Sequence, residues 1–316
     1  MDIVEKTVKD IIDLRIQGAS EVRKRAVSAL VESALGSKAK KPELFRKEFT
    51  KNIASLYCAR PTEPELRTAL RIIKRSVSEK GLTNEQMKQK IMQAAKEYEK
   101  NRKEALERIS RYGAELIHSG STIMTICHSR SVVDTLLRAK SKIKHVYCLE
   151  SRPLYQGRVT ANELSCAGID TTILVDNAAS TVLKKCDYFL SGADALLADG
   201  DVVNKIGTNQ ISILAKHFDV LHYVAASTHK FEAASFFGKA EPIEQRALDE
   251  VWDEKSTPTC TGRGKIKAIN PAFDRTDSST IEGIICEMGI FPPQVLASKL
   301  FDELELEKHE HEFLKL

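Results

Sequence analysis

The hydrophobic pattern changes period once, at His118-Ser119-Gly120, and the change demands two different kinds of structure. Upstream, Val4, Val8, Ile11 and Ile12, then Val22, Ala26, Val27 and Leu30, recur at the three-to-four spacing of one helical face. Gly18 stops the first of these helices, and Ser20 is placed to cap the second. A helix opening after Pro64 runs through Leu66, Leu70, Ile73 and Val77. Gly81 ends it, and Thr83-Asn84-Glu85-Gln86 has the capping-box form that starts another. That last helix carries Met87, Ile91, Ala95, Tyr98, Ala105, Ile109 and Leu116 on its apolar side. Its many Lys, Arg and Glu residues read as a wet face laced by i,i+4 pairs.

Downstream, short β-rich runs alternate with helical ones. Thr122–Ile126 precedes Ser131–Ala139, His145–Leu149 precedes Thr160–Ala167, and Thr171–Val175 precedes Ala178–Lys184. Tyr188–Leu190 follows, and Gln210–Lys216 precedes Leu221–Ala226. Strand alternating with helix requires right-handed crossovers and a largely parallel sheet covered on both faces. The expectation is an α/β protein: a helical N-terminal domain over residues 1–118, then a Rossmann-like, mostly parallel sheet domain over 119–316.

Charge divides at the same place. Residues 1–118 hold 26 Lys and Arg against 17 Asp and Glu, a surplus of nine, and the remainder hold 22 against 27, a deficit of five. A basic third can mark nucleic acid, a phosphate-bearing ligand or an oligomer contact; the plain alternative is a solvated helical surface. Cys58, Cys127, Cys148, Cys166, Cys186, Cys260 and Cys286 form no C-x-x-C pair, which argues against a zinc framework, and their odd number argues against a disulfide scaffold. Most read as small buried hydrophobes. His309 and His311, in a charged tail, lack carboxylate partners for a metal. The longest apolar runs fall far short of the roughly 20 residues of a membrane helix, and Asp2, Glu5, Lys6 and Lys9 interrupt the opening where a signal peptide would be apolar. A cytoplasmic protein without membrane contact is expected.

In parallel sheets of this kind ligands sit at the carboxyl ends of strands. Cys127 follows Thr122–Ile126 directly and precedes Ser129, placed to cap the next helix. Helix N-terminal amides would lower the thiol pKa and favour thiolate, with His128 and Arg130 acting the same way if they face it; the other reading is a buried structural Cys. Asp194, after Ser191-Gly192-Ala193, reads either as a turn former or as a general acid–base. Asn204-Lys205-Ile206-Gly207-Thr208 sets an amide and an ammonium before a Gly-containing helix start, suited to a phosphate or a developing oxyanion. Arg152 and Lys230 add strand-end cations. Together these describe a pocket for an anionic substrate with proton-transfer chemistry. No G-x-G-x-x-G or G-x4-G-K-[ST] motif is present.

Thr125-Ile126-Cys127-His128-Ser129, Glu150-Ser151-Arg152-Pro153 with Gln156-Gly157, Gly192-Ala193-Asp194, Asn204–Thr208 and Asn270-Pro271-Ala272-Phe273-Asp274 occur in that order, preceded by Gln17-Gly18-Ala19 and Arg60-Pro61-Thr62. This set resembles the family of the alpha, beta and delta subunits of translation initiation factor 2B. That family also holds two sugar-phosphate isomerases, for methylthioribose 1-phosphate and for ribose 1,5-bisphosphate. The resemblance implies that Cys127 and Asp194 are a catalytic pair, which regulatory subunits generally lack in one or both members. It also implies that Gly18, Ala19, Arg60, Arg152, Asn204, Lys205 and Lys230 bind substrate. Thr-x-Cys-His-Ser and Phe291-Pro292-Pro293 look more like the bisphosphate isomerase.

The implied activity is aldose–ketose isomerisation of ribose 1,5-bisphosphate to ribulose 1,5-bisphosphate, with no metal and no cofactor. A homo-oligomer (dimer or hexamer) and a nucleotide activator are implied as well, and no direct nucleic-acid partner. The alternative is a non-catalytic initiation-factor-like subunit that senses a sugar phosphate or nucleotide and binds proteins; Ser129–Val133 and Ala167–Thr172 resemble that branch. Gln17 stands where the isomerases carry Arg, so one phosphate contact is either missing or taken over by Arg15 or Arg23.

Overall fold

The structure, a computed structural model, describes residues 2–13, 15–16, 18–60, 63–252 and 267–305. Gln17, Pro61, Thr62, Cys260, His309 and His311 lie outside the described residues.

Five helices build the first layer: α1 (Ile3–Ile12), α2 (Ala19–Gly36), α3 (Pro42–Cys58), α4 (Pro64–Arg75) and α5 (Asn84–Leu116). Proline at the first position of α3 and of α4 costs no hydrogen bond and presets φ. Thr83 and Gln86 close the capping box of α5 reciprocally, at 3.3 and 2.9 Å. Ser20 does not cap α2; the helix starts two residues earlier than such a cap would place it, after Gly18, and no side chain caps it. The layer's core contains Val22, Leu30, Phe45, Ile53, Leu66, Leu70, Met87, Ile91 and Tyr98. Helix α5 runs on past this core: from Ile109 its apolar stripe packs against the sheet.

The main sheet contains β1 (Ser121–Ile126), β2 (Ile143–Leu149), β3 (Thr171–Leu174), β4 (Tyr188–Ser191), β7 (Leu221–Ala225), β9 (Gly283–Cys286) and β10 (Gly289–Phe291). Its order is β10-β9-β7-β4-β1-β2-β3, parallel except for the β9–β10 hairpin. Around it lie α6 (Arg130–Arg138), α7 (Gln156–Cys166), the single turn α8 (Ala179–Val182), α9 (Thr208–His217) and α10 (Pro293–Glu305). Alternation along β1 feeds two cores. Ile123 packs with Val133 and Leu136 of α6, whereas Met124 packs with Ile211 and Ala215 of α9.

A second, antiparallel sheet joins β5 (Ala195–Leu196), β6 (Val202–Lys205) and β8 (Phe273–Thr276) in the order β5-β6-β8. It was not expected from the periodicity, because two of its strands are short and its third is remote in sequence. Cys148, Cys186 and Cys286 are buried, whereas Cys58 and Cys166 are exposed and therefore not core residues. No helix among the described residues is long and apolar enough to cross a membrane, and no cluster of three or more His, Cys, Asp and Glu side chains there could hold a metal ion.

Candidate active site

The chain runs outward from β1 to β2 and β3, then returns on the other side of β1 to β4. Between β1 and β4 the winding reverses, and the loops leaving such a switch point part to form a crevice. A cleft of about 450 Å³ opens there, between the strand ends and the helical layer. Cys127, Asp194, Asn204, Lys205 and Lys230 line its sheet side, and Gly18, Ala19 and Arg60 its helical side. Arg152 stands outside it: its guanidinium hydrogen-bonds the Tyr155 hydroxyl at 3.0 Å and the Glu250 carbonyl at 3.2 Å. The sequence reading took its strand-end position for a substrate contact, but the side chain is engaged by Tyr155 on its own loop and by Glu250 from the segment before β8.

Cys127 adopts a left-handed backbone, φ 64°, a conformation that costs a non-glycine residue about 1–3 kcal/mol and persists only where neighbours enforce it. They do so from the end of β2 and from α7. The Ser151 hydroxyl accepts from Cys127 N–H at 2.7 Å, and Thr160 Oγ1 donates to the Cys127 carbonyl at 2.7 Å. Ser151, itself at φ 62°, is held by Asp176, which accepts from the amides of Ser151 and Arg152 at 2.8 and 2.7 Å.

The thiol is not the low-pKa thiolate expected from a helix start. Burial pushes it up to about 11; Lys205 pulls down, Asp194 pushes further up, and the His128 amide and Lys230 pull down. Desolvation outweighs the cations because α6 begins three residues later and its neighbouring charges are engaged elsewhere. His128 meets Thr160 at 3.1 Å and Glu163 at 3.7 Å, and Arg130 is paired with Asp134 and Glu163 at 2.9 Å each. Ser129 makes no side-chain cap either. Its side chain instead lies against Gly192, where a Cβ would stand 2.6 Å from Ser129 Oγ.

Asp194 is half-buried, with its amide donating to the Val203 carbonyl at 2.8 Å. Lys230 Nζ donates to the Ala193 carbonyl at 2.5 Å. Lys205 is 8% exposed and lies over the Phe273 ring at 5.5 Å. Thr208 Oγ1 accepts from Asn204 Nδ2 at 2.9 Å and donates to the Lys205 carbonyl at 2.6 Å, which fixes both side chains on one short bend.

The start of α9 does not offer all the backbone donors expected of it. Gly207 turns the chain at φ 99°, and the amides of Gly207 and Asn209 donate to Asp274 Oδ2 at 2.7 and 3.2 Å. An anion near Asn204 and Lys205 is therefore met mainly by side chains. Burial raises the Asp274 carboxyl to about 6 against the pull of those amides.

Neither substitute proposed for the position of Gln17 faces the cleft. Arg15 turns outward to Asp10 and Asp13, and Arg23 is buried between Glu65 and Glu99. The cleft instead receives two arginines the sequence reading missed, Arg102 from α5 and Arg246 from the segment before β8. Arg102 carried a signal: it falls between Tyr98 and Ala105 on the buried stripe of α5. Arg246 lies in no periodic stretch and carried none. Glu63 was also missed; burial raises its carboxyl to about 8, Arg60 opposes the rise and Asp194 adds to it.

Fold and site define a doubly wound α/β protein with a helical N-terminal layer and a cleft at its switch point lined by a thiol, a carboxylate and several cations. The Initiation factor 2 subunit family matches residues 15–293, and the chain belongs to that family. It is 36% identical over 312 residues to the ribose 1,5-bisphosphate isomerase of Methanocaldococcus jannaschii, covering 96% of this chain and 97% of that protein. The fold is shared with 5-methylthioribose 1-phosphate isomerase from Pyrococcus horikoshii OT3, at TM-score 0.76 and 31% identity over 95% of this chain and 88% of the other. It is also shared with translation initiation factor eIF-2B from the same organism, at TM-score 0.77 and 26% identity over 92% and 97%.

Proposed function

We propose that this protein is an isomerase that converts ribose 1,5-bisphosphate to ribulose 1,5-bisphosphate, with Cys127 and Asp194 as its proton-transfer pair. The observation that carries the reading is the presence of a thiol and a carboxylate on one cleft wall, with Lys205 and Lys230 the cations that act most on the thiol.

On substrate binding the Cys127 thiol proton passes to Asp194, which leaves the pair's negative charge on sulfur, where Lys205 and Lys230 stabilise it. Asp194 protonates the ring oxygen as the C1–O bond of the ring breaks. The C2 proton passes to the Cys127 sulfur, leaving an enol phosphate across C1 and C2. The C2 hydroxyl returns a proton to Asp194 while sulfur delivers its proton to C1, giving a C2 ketone and a phosphorylated CH2. Lys205 and Asn204 stabilise the charge that develops on oxygen, and Arg60, Lys230 and the start of α2 hold phosphate. A homo-oligomer, dimer or hexamer, acting in the cytoplasm and responsive to a nucleotide, completes the reading.

The test is incubation of purified protein with ribose 1,5-bisphosphate while ribulose 1,5-bisphosphate is followed by phosphorus NMR. Turnover that Cys127→Ser and Asp194→Asn abolish is expected. Tight ligand binding without turnover would instead assign the chain to the regulatory branch of its family.

A further inference from the structure

One buried titratable group close to the site has no part in the proton transfers: His222 on β7, which stacks on the Phe189 ring at 4.3 Å. Its two ring nitrogens join segments that carry different parts of the cleft. Nε2 meets Ser191 Oγ at 2.8 Å, and Ser191 ends β4 immediately before Gly192-Ala193-Asp194. Nδ1 meets Ser212 Oγ at 2.7 Å. Ser212 lies one turn after Thr208 on α9, and Thr208 holds both the Asn204 amide and the Lys205 carbonyl. Ser191, Thr208 and Ser212 are all fully buried, so a bond lost among them is not replaced by water.

Hydrogen counting fixes which ring nitrogen carries the proton. Burial keeps the imidazole neutral, so one nitrogen donates and the other accepts. Ser212 Oγ meets Thr280 Oγ1 at 2.7 Å, and Thr280 Oγ1 donates to the Asp277 carbonyl at 2.7 Å. A carbonyl only accepts, so the hydroxyl hydrogen of Thr280 is used there. Ser212 must then donate to Thr280, and His222 Nδ1–H to Ser212. Nε2 remains as the acceptor for the Ser191 hydroxyl. In the opposite tautomer Ser191 could turn to the Gly192 carbonyl, but that contact is longer, at 3.2 Å, and the 2.7 Å contact between Ser212 and Thr280 would hold no hydrogen.

We infer that His222, held as the Nδ1–H tautomer, is a positioning residue that locks the strand end carrying Asp194 to the helix that follows Asn204 and Lys205. His222, Ser191 and Ser212 do not line the cleft; the imidazole acts through the two serines, which run in one unbroken direction of donation from β4 to the turn after β8. The inference deepens the isomerase reading and rests on it for the reaction in which a displacement is read.

Its test pairs nitrogen NMR of the full chain, labelled at histidine, with steady-state kinetics on ribose 1,5-bisphosphate. The ring signals that vanish in His222→Gln should show a protonated Nδ1 and an unprotonated Nε2, and the reverse pattern overturns the assignment. Ser191→Ala, which removes one hydroxyl, and His222→Gln should each lower kcat about 10-fold, the effect of a displacement of less than about 1 Å, with KM changed by less than about 2-fold. Ile53→Val, a core change in the helical layer, should lower the melting temperature and leave kcat unchanged. The same pattern in Ser191→Ala and His222→Gln would make the network structural only and overturn the positioning role. If the wild-type protein does not convert the bisphosphate, the isomerase reading falls and Cys127 alkylation decides instead. Asp194 and Lys205 both act on that thiol, so the two variants should change its alkylation rate at fixed pH by about 3-fold or more, and unchanged rates overturn the inference.

Discussion

Replacing Gly192 with alanine tests the claim that two strand-end loops fix the Cys127–Asp194 pair by direct contact. The added Cβ would stand 2.6 Å from Ser129 Oγ and 2.7 Å from Ser129 Cβ. The hydroxyl can rotate away but the Cβ cannot, because the Ser129 carbonyl is tied to Val133 N–H at 2.9 Å in the first turn of α6. Gly192 is equally constrained: Ser191 before it is fully buried and bonded to His222, and the Asp194 amide is tied to Val203. Ordinary carbon–carbon contact begins near 3.4 Å, so one loop must retreat by roughly 0.7 Å, an overpacking worth about 1–3 kcal/mol. Cys127 lies two residues before Ser129 and Asp194 two after Gly192, so that displacement falls on the pair itself. Misplacement approaching 1 Å costs on the order of 100-fold in rate. Gly192→Ala should therefore lower kcat about 10- to 100-fold and lower the melting temperature. Ser129→Ala removes only the oxygen and leaves the 2.7 Å contact, so it should not rescue the variant. Ser129→Gly removes both atoms and should restore activity to about that of Ser129→Gly alone. Normal kinetics and melting for Gly192→Ala, or equal rescue by alanine and glycine at 129, would refute the contact argument.

Two further outcomes follow from buried titratable groups. Because burial holds the Cys127 thiol up at about 11, its alkylation by iodoacetamide, followed by peptide mass spectrometry, should rise about tenfold per pH unit from 7 to 10. Lys205→Met should slow it and Asp194→Asn speed it at fixed pH; a plateau near pH 8 would contradict the buried-thiol account. His222 is fully buried between Ser191 and Ser212 at 2.8 and 2.7 Å, and burial lowers it to about 3. Between about 3 and its unfolded value near 6.5 the unfolded chain binds the extra proton, so this group removes stability as pH falls, by up to about 1.4 kcal/mol per unit. Thermal melts from pH 7 to 4 should show a shallower acid loss in His222→Asn than in wild type, and parallel curves would show that the imidazole is not held neutral.

What could be read before folding, and what could not, divides by the range of the interaction involved. The alternation of runs after residue 118 placed Cys127, Asp194 and Lys230 at strand ends, because a strand's end is a local property and the ligand side of a parallel sheet follows from it. Alternation also located α6, α7 and α9 to within a few residues. Helix α3 lies outside the sequence expectations, although Phe45, Phe49, Ile53 and Leu56 keep helical spacing and are all buried. The sheet β5-β6-β8 was not legible, because pairing Lys205 with Phe273 and Asn204 with Asp274 spans almost 70 residues. The same long pairing brings Asp274 to the start of α9 and takes up two of its amides.

Charge compensation is longer-ranged still. Arg60, Arg102, Arg130 and Arg246 are equivalent as letters. What separates them is the carboxylates that fold against them: Glu244 from beyond β7 onto Arg60, and Glu163 from α7 onto Arg130. For Arg102 the deciding event is that Arg23, an α2 residue, occupies the other oxygen of Glu99. A basic surplus of nine in the first 118 residues therefore says little about where an anion goes. In α5 most of that charge is solvated, as the i,i+4 pattern indicated, and the one arginine on the buried stripe, between Tyr98 and Ala105, reaches the cleft wall. A cation on an apolar stripe must either be paired or face a ligand. Arg102 and Arg60 stand alike in this respect: each meets one carboxylate at 3.6 Å, Glu99 and Glu244, and each shares it with another arginine, Arg23 and Arg246, while burial holds Glu63 beside Arg60 neutral.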